Sequence, residues 1–497
     1  MATENDREVA AGSLLTRHIA GYLVAQAIAA AGSLLSIVII ARLLGRSDFG
    51  TFSVVIAITF AAAQFSVNWI QVSLLRFAPL AQTPAEAATV DRTLVVSLLL
   101  MVAVVMLVEA VVGGAIAFAS QGVSKRLVAA AVAVTAGTMT YNALRTRAQS
   151  RLSPGSYTTT TAGNTLLRFV LPVVAVKVWG ASAEAALAGV AAAYAVSIVP
   201  LAATMPAAVA RREGGTAAAM RTWWGYGAAM SGWFLTLQIL ASADRLMLGV
   251  FRSASTAGLY SATYDLVNKG IYLPADAVAL AGRPLAMRSA AQADDAGVRA
   301  IVRELTRKFL LVTVPVAVIT IAYGHRVVSI LLPAEFEDGA RIIPVVMAGF
   351  LISHVCVFVG IYLEAGGRTR MVFAAAGVAA VANLTANVIL IPLYGYMGAA
   401  VGTLISYSIQ LVAIAAICRG SFASLVPVRS VATVAMGALA MLPVLAAAGR
   451  LPGDALTGAA GGSILGLVIF GAVAALRHEL PPVAALRAYA PGRWSER

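Results

Sequence analysis

The chain has 497 residues, of which 60% are hydrophobic and 12% charged, with a mean hydropathy of +0.86. Soluble chains are about half apolar and about a quarter charged, so this composition excludes a soluble domain and points to a chain embedded in a bilayer. The net charge of +14 is scattered in short clusters between apolar runs, which is the pattern of topology determinants and not of a nucleic-acid partner.

A transmembrane helix needs about 20 mostly apolar residues. Fourteen runs meet this, at about 19–44, 52–72, 94–118, 127–145, 157–178, 185–209, 226–250, 256–282, 309–332, 342–363, 371–393, 397–418, 430–449 and 456–476. The expected class is therefore an all-α integral membrane protein of about fourteen spans. No cleavable signal is expected, because residues 1–17 are polar and the first apolar run is too long for one. Of the 36 basic residues, 24 fall on the side that holds both termini and 10 on the other. Arg168 and Lys269 remain inside spans. By the positive-inside rule both termini are expected to be cytoplasmic. Every connection is short, so no separate soluble domain is expected.

The chain repeats itself. Ala41 to Ser53 reads ARLLGRSDFGTFS, and Asp244 to Ser261 reads DRLMLGVFRSASTAGLYS. Arg245-Leu246 answers Arg42-Leu43, Gly249 answers Gly45, and Gly258-Leu259-Tyr260-Ser261 answers Gly50-Thr51-Phe52-Ser53. Each copy reads as a helix end, a short turn and the start of the next helix. Six spans separate the copies. An even number gives two halves of like orientation, related by a pseudo-two-fold axis along the membrane normal. The expected organisation is an N-lobe at 1–210 (spans one to six), a C-lobe at 211–424 (spans seven to twelve), and 425–497 with spans thirteen and fourteen and a cytoplasmic tail.

Four stretches carry a resemblance: ARLLGRSDFGTFS, ADRLMLGVFRSASTAGLYSATYDL (Ala243 to Leu266), LLPAEFEDGARIIPVVMAGF (Leu331 to Phe350) and LIPLYGYMGAAVGTLISY (Leu390 to Tyr407). At these spans and spacings the chain resembles the bacterial polysaccharide and O-antigen flippases of the multidrug/oligosaccharidyl-lipid/polysaccharide exporter superfamily. The resemblance implies two six-helix lobes around a central cavity, often with two extra helices. It also implies a bacterial inner-membrane protein that moves an undecaprenyl-pyrophosphate-linked oligosaccharide from the cytoplasmic to the periplasmic leaflet, cation-coupled and working beside glycan polymerase machinery. A cation-coupled drug exporter of the same superfamily is the alternative within transport. The alternative of another class is a membrane oligosaccharide polymerase or glycosyltransferase. It would need an extended extramembrane loop, and neither a nucleophile–base pair nor a metal-ligand set is visible, so a non-enzyme is expected.

The candidate substrate-binding residues follow from the cost of placing charge in a bilayer, about 3 kcal/mol or more each. In span eight Ser261, Asp265, Asn268, Lys269, Tyr272 and Asp276 share one polar stripe. They either line a wet path or, for Asp265 and Lys269 at i, i+4, neutralise each other. Arg168 and Asn164 in span five offer phosphate and hydroxyl recognition, unless Arg168 simply reaches to an interface. Arg17 and Arg76 stand near the cytoplasmic mouth, where topology alone also explains them. Asp244 and Arg245 read as a gate or lobe contact, or as a plain interfacial pair. Glu109 is either a possible cation site or an ordinary hydrogen-bonding carboxylate. Asn383 and Asn387 read as interhelical hydrogen-bonding glue. Cys356 and Cys418 lack metal-type spacing, and neither a metal nor a cofactor is expected.

Overall fold

A computed structural model describes residues 4–119, 123–150, 154–205, 216–449 and 455–479. The described residues form helices and connecting turns, with no strand among them: α1 (Glu4–Phe77), α2 (Pro84–Ala119), α3 (Lys125–Ser150), α4 (Pro154–Trp179), α5 (Ala183–Ala202), α6 (Thr216–Phe251), α7 (Ala254–Ala291), α8 (Asp295–Leu331), α9 (Ile343–Ala365), α10 (Thr369–Tyr394), α11 (Tyr396–Cys418), the single turn α12 (Phe422–Leu425), α13 (Val428–Ala448) and α14 (Ala455–Leu476). Eleven segments among the described residues are long and apolar enough to cross a membrane. With α1 counted as two at its internal break and α12 left aside, the chain is an all-α membrane protein of about fourteen transmembrane helices.

The break in α1 is confined to Gly45, whose φ of 74° and ψ of 171° leave the helical region. A side chain would strain this conformation, and glycine adopts it freely. Helix resumes at Arg46, so the expected turn over residues 45–50 contracts to one residue. The second copy of the repeat breaks differently. Gly249 stays within α6, and the interruption falls at Arg252-Ser253. There the Ser253 hydroxyl accepts the Thr256 N–H at 3.1 Å, a side-chain cap on the first turn of α7. A glycine kink and a serine cap thus do the same job in the two copies.

The helices carry apolar side chains outward, as a lipid solvent allows. Leu99, Leu107, Val111 and Phe118 of α2 are exposed, as are Ile464, Val468 and Leu476 of α14.

The chain divides into two compact units. One comprises Met1–Leu266, Leu332–Phe336 and Ala380–Gly402; the other comprises Val267–Leu331, Glu337–Ala379 and Thr403–Arg497. The first unit has one core around Trp69, Ile70, Leu94 and Met139, and another around Tyr141, Leu187 and Tyr194. In the second unit, Tyr323 of α8 packs with Met441 of α13 and Phe470 of α14. The Tyr323 hydroxyl donates to the Leu445 carbonyl at 3.0 Å. Glu479, just beyond α14, accepts from Ser430 at 2.8 Å and pairs with Arg307 at 3.3 Å. These polar ties add to van der Waals contact in fixing α13 and α14 on α8, since apolar burial by itself drives little association in lipid.

Candidate functional site

Asp244 and Arg245 are sequence neighbours about 100° apart on α6, so they take different partners: Asp244 reaches both α7 and α10, whereas Arg245 meets α7 one turn further along it. Asp244 is 3% exposed. It accepts the Tyr260 hydroxyl at 2.7 Å and the Asn387 side-chain amide at 2.6 Å, and that amide also donates to Asn383 Oδ1 at 3.0 Å. Asn383 and Asn387 are therefore glue, as expected, and the carboxylate they hold is the hub between α6, α7 and α10. Arg245 forms an ion pair with Asp265 of α7 and lies 5.6 Å from the Tyr264 ring centroid. Asp265 thus takes its cation from α6 and not from Lys269 one turn along. The local i, i+4 pairing read from spacing gives way to a guanidinium that reaches from another helix. Lys269 and Asn268 are half-buried, and neither has a hydrogen-bond or ion-pair partner among the described residues. The side chains of Tyr272 and Asp276, and that of Arg17, lie outside the described residues.

The remaining candidates are dispersed. Asn164 is buried and donates to Ser197 Oγ at 3.0 Å, joining α4 to α5. Arg168, one turn on, is exposed and lies 5.3 Å from the Tyr194 ring centroid. Glu109 accepts from Thr135 Oγ1 at 2.9 Å, while its second oxygen has no hydrogen-bond partner. Arg76 lies over the Tyr226 ring at 4.4 Å. Among the described residues no three His, Cys, Asp or Glu side chains are gathered to hold a metal ion. Asp244, Asn383 and Asn387 bring hard oxygen donors into one buried cluster, in which Asn387 Oδ1 has no hydrogen-bond partner. Such oxygens suit an alkali or alkaline-earth cation better than a transition metal.

Two features escaped the sequence reading. Arg147 of α3 forms a two-pronged pair with Asp91 of α2, at 2.7 and 2.9 Å, and also donates to Thr204 at 3.1 Å. The two side chains are 5% and 1% exposed, so this residue counted for topology is a buried structural cation.

The second feature is that the four motif stretches converge. Gly50 and Gly258, equivalent positions of the repeat, meet backbone to backbone. A Cβ on Gly50 would lie 1.7 Å from the Ala254 carbonyl oxygen, and one on Gly258 would lie 2.3 Å from that of Arg46. Arg46 donates its Nε–H to the Ser255 carbonyl at 3.0 Å and its backbone N–H to Glu335 Oε1 at 2.9 Å. Phe49 meets Phe336 edge-on, with ring centroids 5.9 Å apart. Arg252 donates to the carbonyls of Ile391 and Pro392 at 3.1 and 2.5 Å, where its charge offsets the negative end of α10. The spacing within each stretch signalled a repeat, and only folding revealed that the copies are each other's partners.

Residues 39–341 match the family described as polysaccharide biosynthesis protein, more than half of the chain. The chain belongs to this family. Three of the four converging stretches lie within or start inside the matched region, and the fourth, at 390–407, lies beyond it. The family member is also similar to a probable low-salt glycan biosynthesis flippase, Agl15 of Haloferax volcanii. The two are 23% identical over 169 residues, which is 34% of this chain and 36% of the relative, so the match spans about a third of that relative's length. Among solved structures, the fold is similar to the lipid II flippase MurJ in an inward closed conformation. The TM-score is 0.75 at 12% identity, covering 90% of this chain and 97% of that one. It is also similar to an inward-facing multidrug resistance MATE transporter, with a TM-score of 0.64 at 12% identity, covering 80% and 95%. At these identities the likeness is one of fold. This member of the polysaccharide biosynthesis family therefore has a MurJ- and MATE-like helical fold.

Proposed function

We propose that the chain flips an undecaprenyl-pyrophosphate-linked oligosaccharide from the cytoplasmic to the periplasmic leaflet of a bacterial inner membrane. The observation that carries this reading is the family membership, joined to a repeat whose two copies close on each other at Gly50 and Gly258. A contact between equivalent points of two similar halves suits alternating access: the N-lobe, 1–210, rocks against the C-lobe, 211–424, and this contact forms and opens in each cycle. Residues 425–497 are an appendix to that motion, and glycan polymerase machinery is the expected neighbour. Lys269 and Asn268, with Tyr272, Asp276 and Asp265 on the same stripe, meet the substrate's pyrophosphate and sugars. Arg168 and Asn164, and Arg17 and Arg76 nearer the cytoplasmic side, extend the polar path. A cation such as Lys269 offsets the cost of bringing a phosphate group into a low-dielectric space. Glu109 and the oxygen cluster around Asp244 are the places for a coupling cation. The similarity of fold to a multidrug transporter supports a second reading, a cation-coupled drug exporter.

The protein reconstituted in vesicles is expected to move fluorescent lipid-linked oligosaccharide between leaflets and to leave cationic dyes where they are. Dye transport without movement of the glycolipid selects the second reading. In the same assay Lys269→Arg is expected to retain flipping and Lys269→Ala to lose it, both at wild-type abundance. Because Asp265 is held by Arg245, Lys269→Ala leaves no carboxylate stranded, and unchanged flipping in that variant removes Lys269 from the substrate path.

The orientation has its own test. With Cys356 and Cys418, both buried, replaced by serine, a single cysteine at Ala181 is expected to react with an impermeant thiol reagent in intact spheroplasts. One at Gln82 is expected to stay unlabelled until the membrane is opened. The reverse pattern inverts the proposed topology, with its cytoplasmic termini.

A further inference from the structure

A groove of about 440 Å³ lies in the first unit between α1, α2 and α6. Trp69, Leu100, Met101, Met220 and Trp224 line it, with Arg221 and Gly225. Its floor is the core cluster around Ile70, Leu94 and Met139. Its rim is open, because Leu100 is 48% exposed and Trp224 54% exposed. Two polar features of the groove lack a partner. The Trp69 indole N–H sits on a side chain only 4% exposed and has no acceptor. The exposed Arg221 has no hydrogen bond or ion pair among the described residues. Arg76, seven residues along α1 from Trp69 and so on the same face, lies over Tyr226, the residue after Gly225.

We infer that this groove holds one acyl chain of an anionic phospholipid, with Arg221 meeting the headgroup charge. Basic pockets between transmembrane helices bind acidic headgroups, and Arg76 and Arg221 bring two cations to this side of the groove. A methylene occupies about as much space as a water, ~30 Å³, so the groove has room for a chain of ordinary fatty-acyl length. The groove is thus a lipid site that holds α1, α2 and α6 together on the side where Arg76 and Arg221 lie.

The test uses the purified, delipidated full chain in detergent, titrated with phosphatidylglycerol, with phosphatidylcholine of identical chains, and with undecaprenyl phosphate, and read by native mass spectrometry. Phosphatidylglycerol is expected to bind tightest. Arg221→Gln, at an exposed position, is expected to abolish its advantage over phosphatidylcholine. A Cβ on Gly225 meets nothing within 4 Å, so Gly225→Leu is expected to fill the groove and expel both while leaving the lipid-free thermal midpoint unchanged. Equal binding of the two phospholipids by the wild type, binding unaltered in Arg221→Gln and Gly225→Leu, or undecaprenyl phosphate displacing phosphatidylglycerol would each overturn the assignment.

Discussion

Replacing Gly50 or Gly258 by alanine is expected to abolish flipping while the protein accumulates normally in the membrane. At each position a methyl group would stand within 3.0 Å of backbone atoms of the partner helix, the Ala254 carbonyl in one case and the Arg46 carbonyl and Gly50 backbone in the other. A flexible side chain can turn aside, but helix backbone cannot. Overpacking of this kind costs about 1–3 kcal/mol or more, and about 3 kcal/mol shifts a two-state population more than a hundredfold. The closed contact would be depopulated, and a cycle that must pass through it would stop. Cysteines at Arg46 and Ser255 probe the same contact. Joined by a short bifunctional reagent, they are expected to arrest flipping, and cleaving the link is expected to restore it. Gly377, where a Cβ meets nothing within 4 Å, is the control, and its alanine variant is expected to behave as wild type. Wild-type flipping by Gly258→Ala at wild-type abundance would sink the gate. A fall in abundance would make the contact static packing.

Arg147→Ala is expected to fail at an earlier stage, in folding. It removes the two-pronged partner of Asp91, which is 1% exposed, and breaking a buried ion pair from one side typically costs about 3–5 kcal/mol. That is a large share of the stability of an ordinary domain, so the variant is expected to accumulate poorly and to lose its thermal transition in detergent. Arg147→Lys keeps the charge but not the two-pronged geometry with Asp91 Oδ1 and Oδ2, and is expected to fall between the two. The Asp91→Leu/Arg147→Met variant removes both charges and keeps apolar volume, and its abundance is expected to recover. If the double variant is no more abundant than Arg147→Ala, the pair is not the source of the loss.

These two sites were legible in the sequence to different degrees. Gly50 and Gly258 were visible as equivalent points of a repeat, because a repeat is a one-dimensional pattern. In one dimension, however, each marks only the start of the next helix, and nothing in the chain's order shows that the two meet. Arg147 was counted as one of many basic residues near a span end. Nothing in its spacing separates a guanidinium that faces water from one that meets an aspartate on the preceding helix.

By itself the sequence determined the solvent, the class and the spans. Hydropathy is summed along the chain, and a bilayer makes every span obey it, so fourteen apolar runs became about fourteen helical segments with little shift. It also determined which residues are polar where polarity is costly. Which of them meet was decided by the tertiary structure. Asp244 and Arg245 are adjacent in the chain, yet one is held by Tyr260 and Asn387 and the other by Asp265. Asp265 and Lys269 have the spacing of a pair and are not one. A helix turns its side chains through about 100° per residue, so a polar group's partner is set by whichever helix stands across from it, and that depends on contacts hundreds of residues away in the chain.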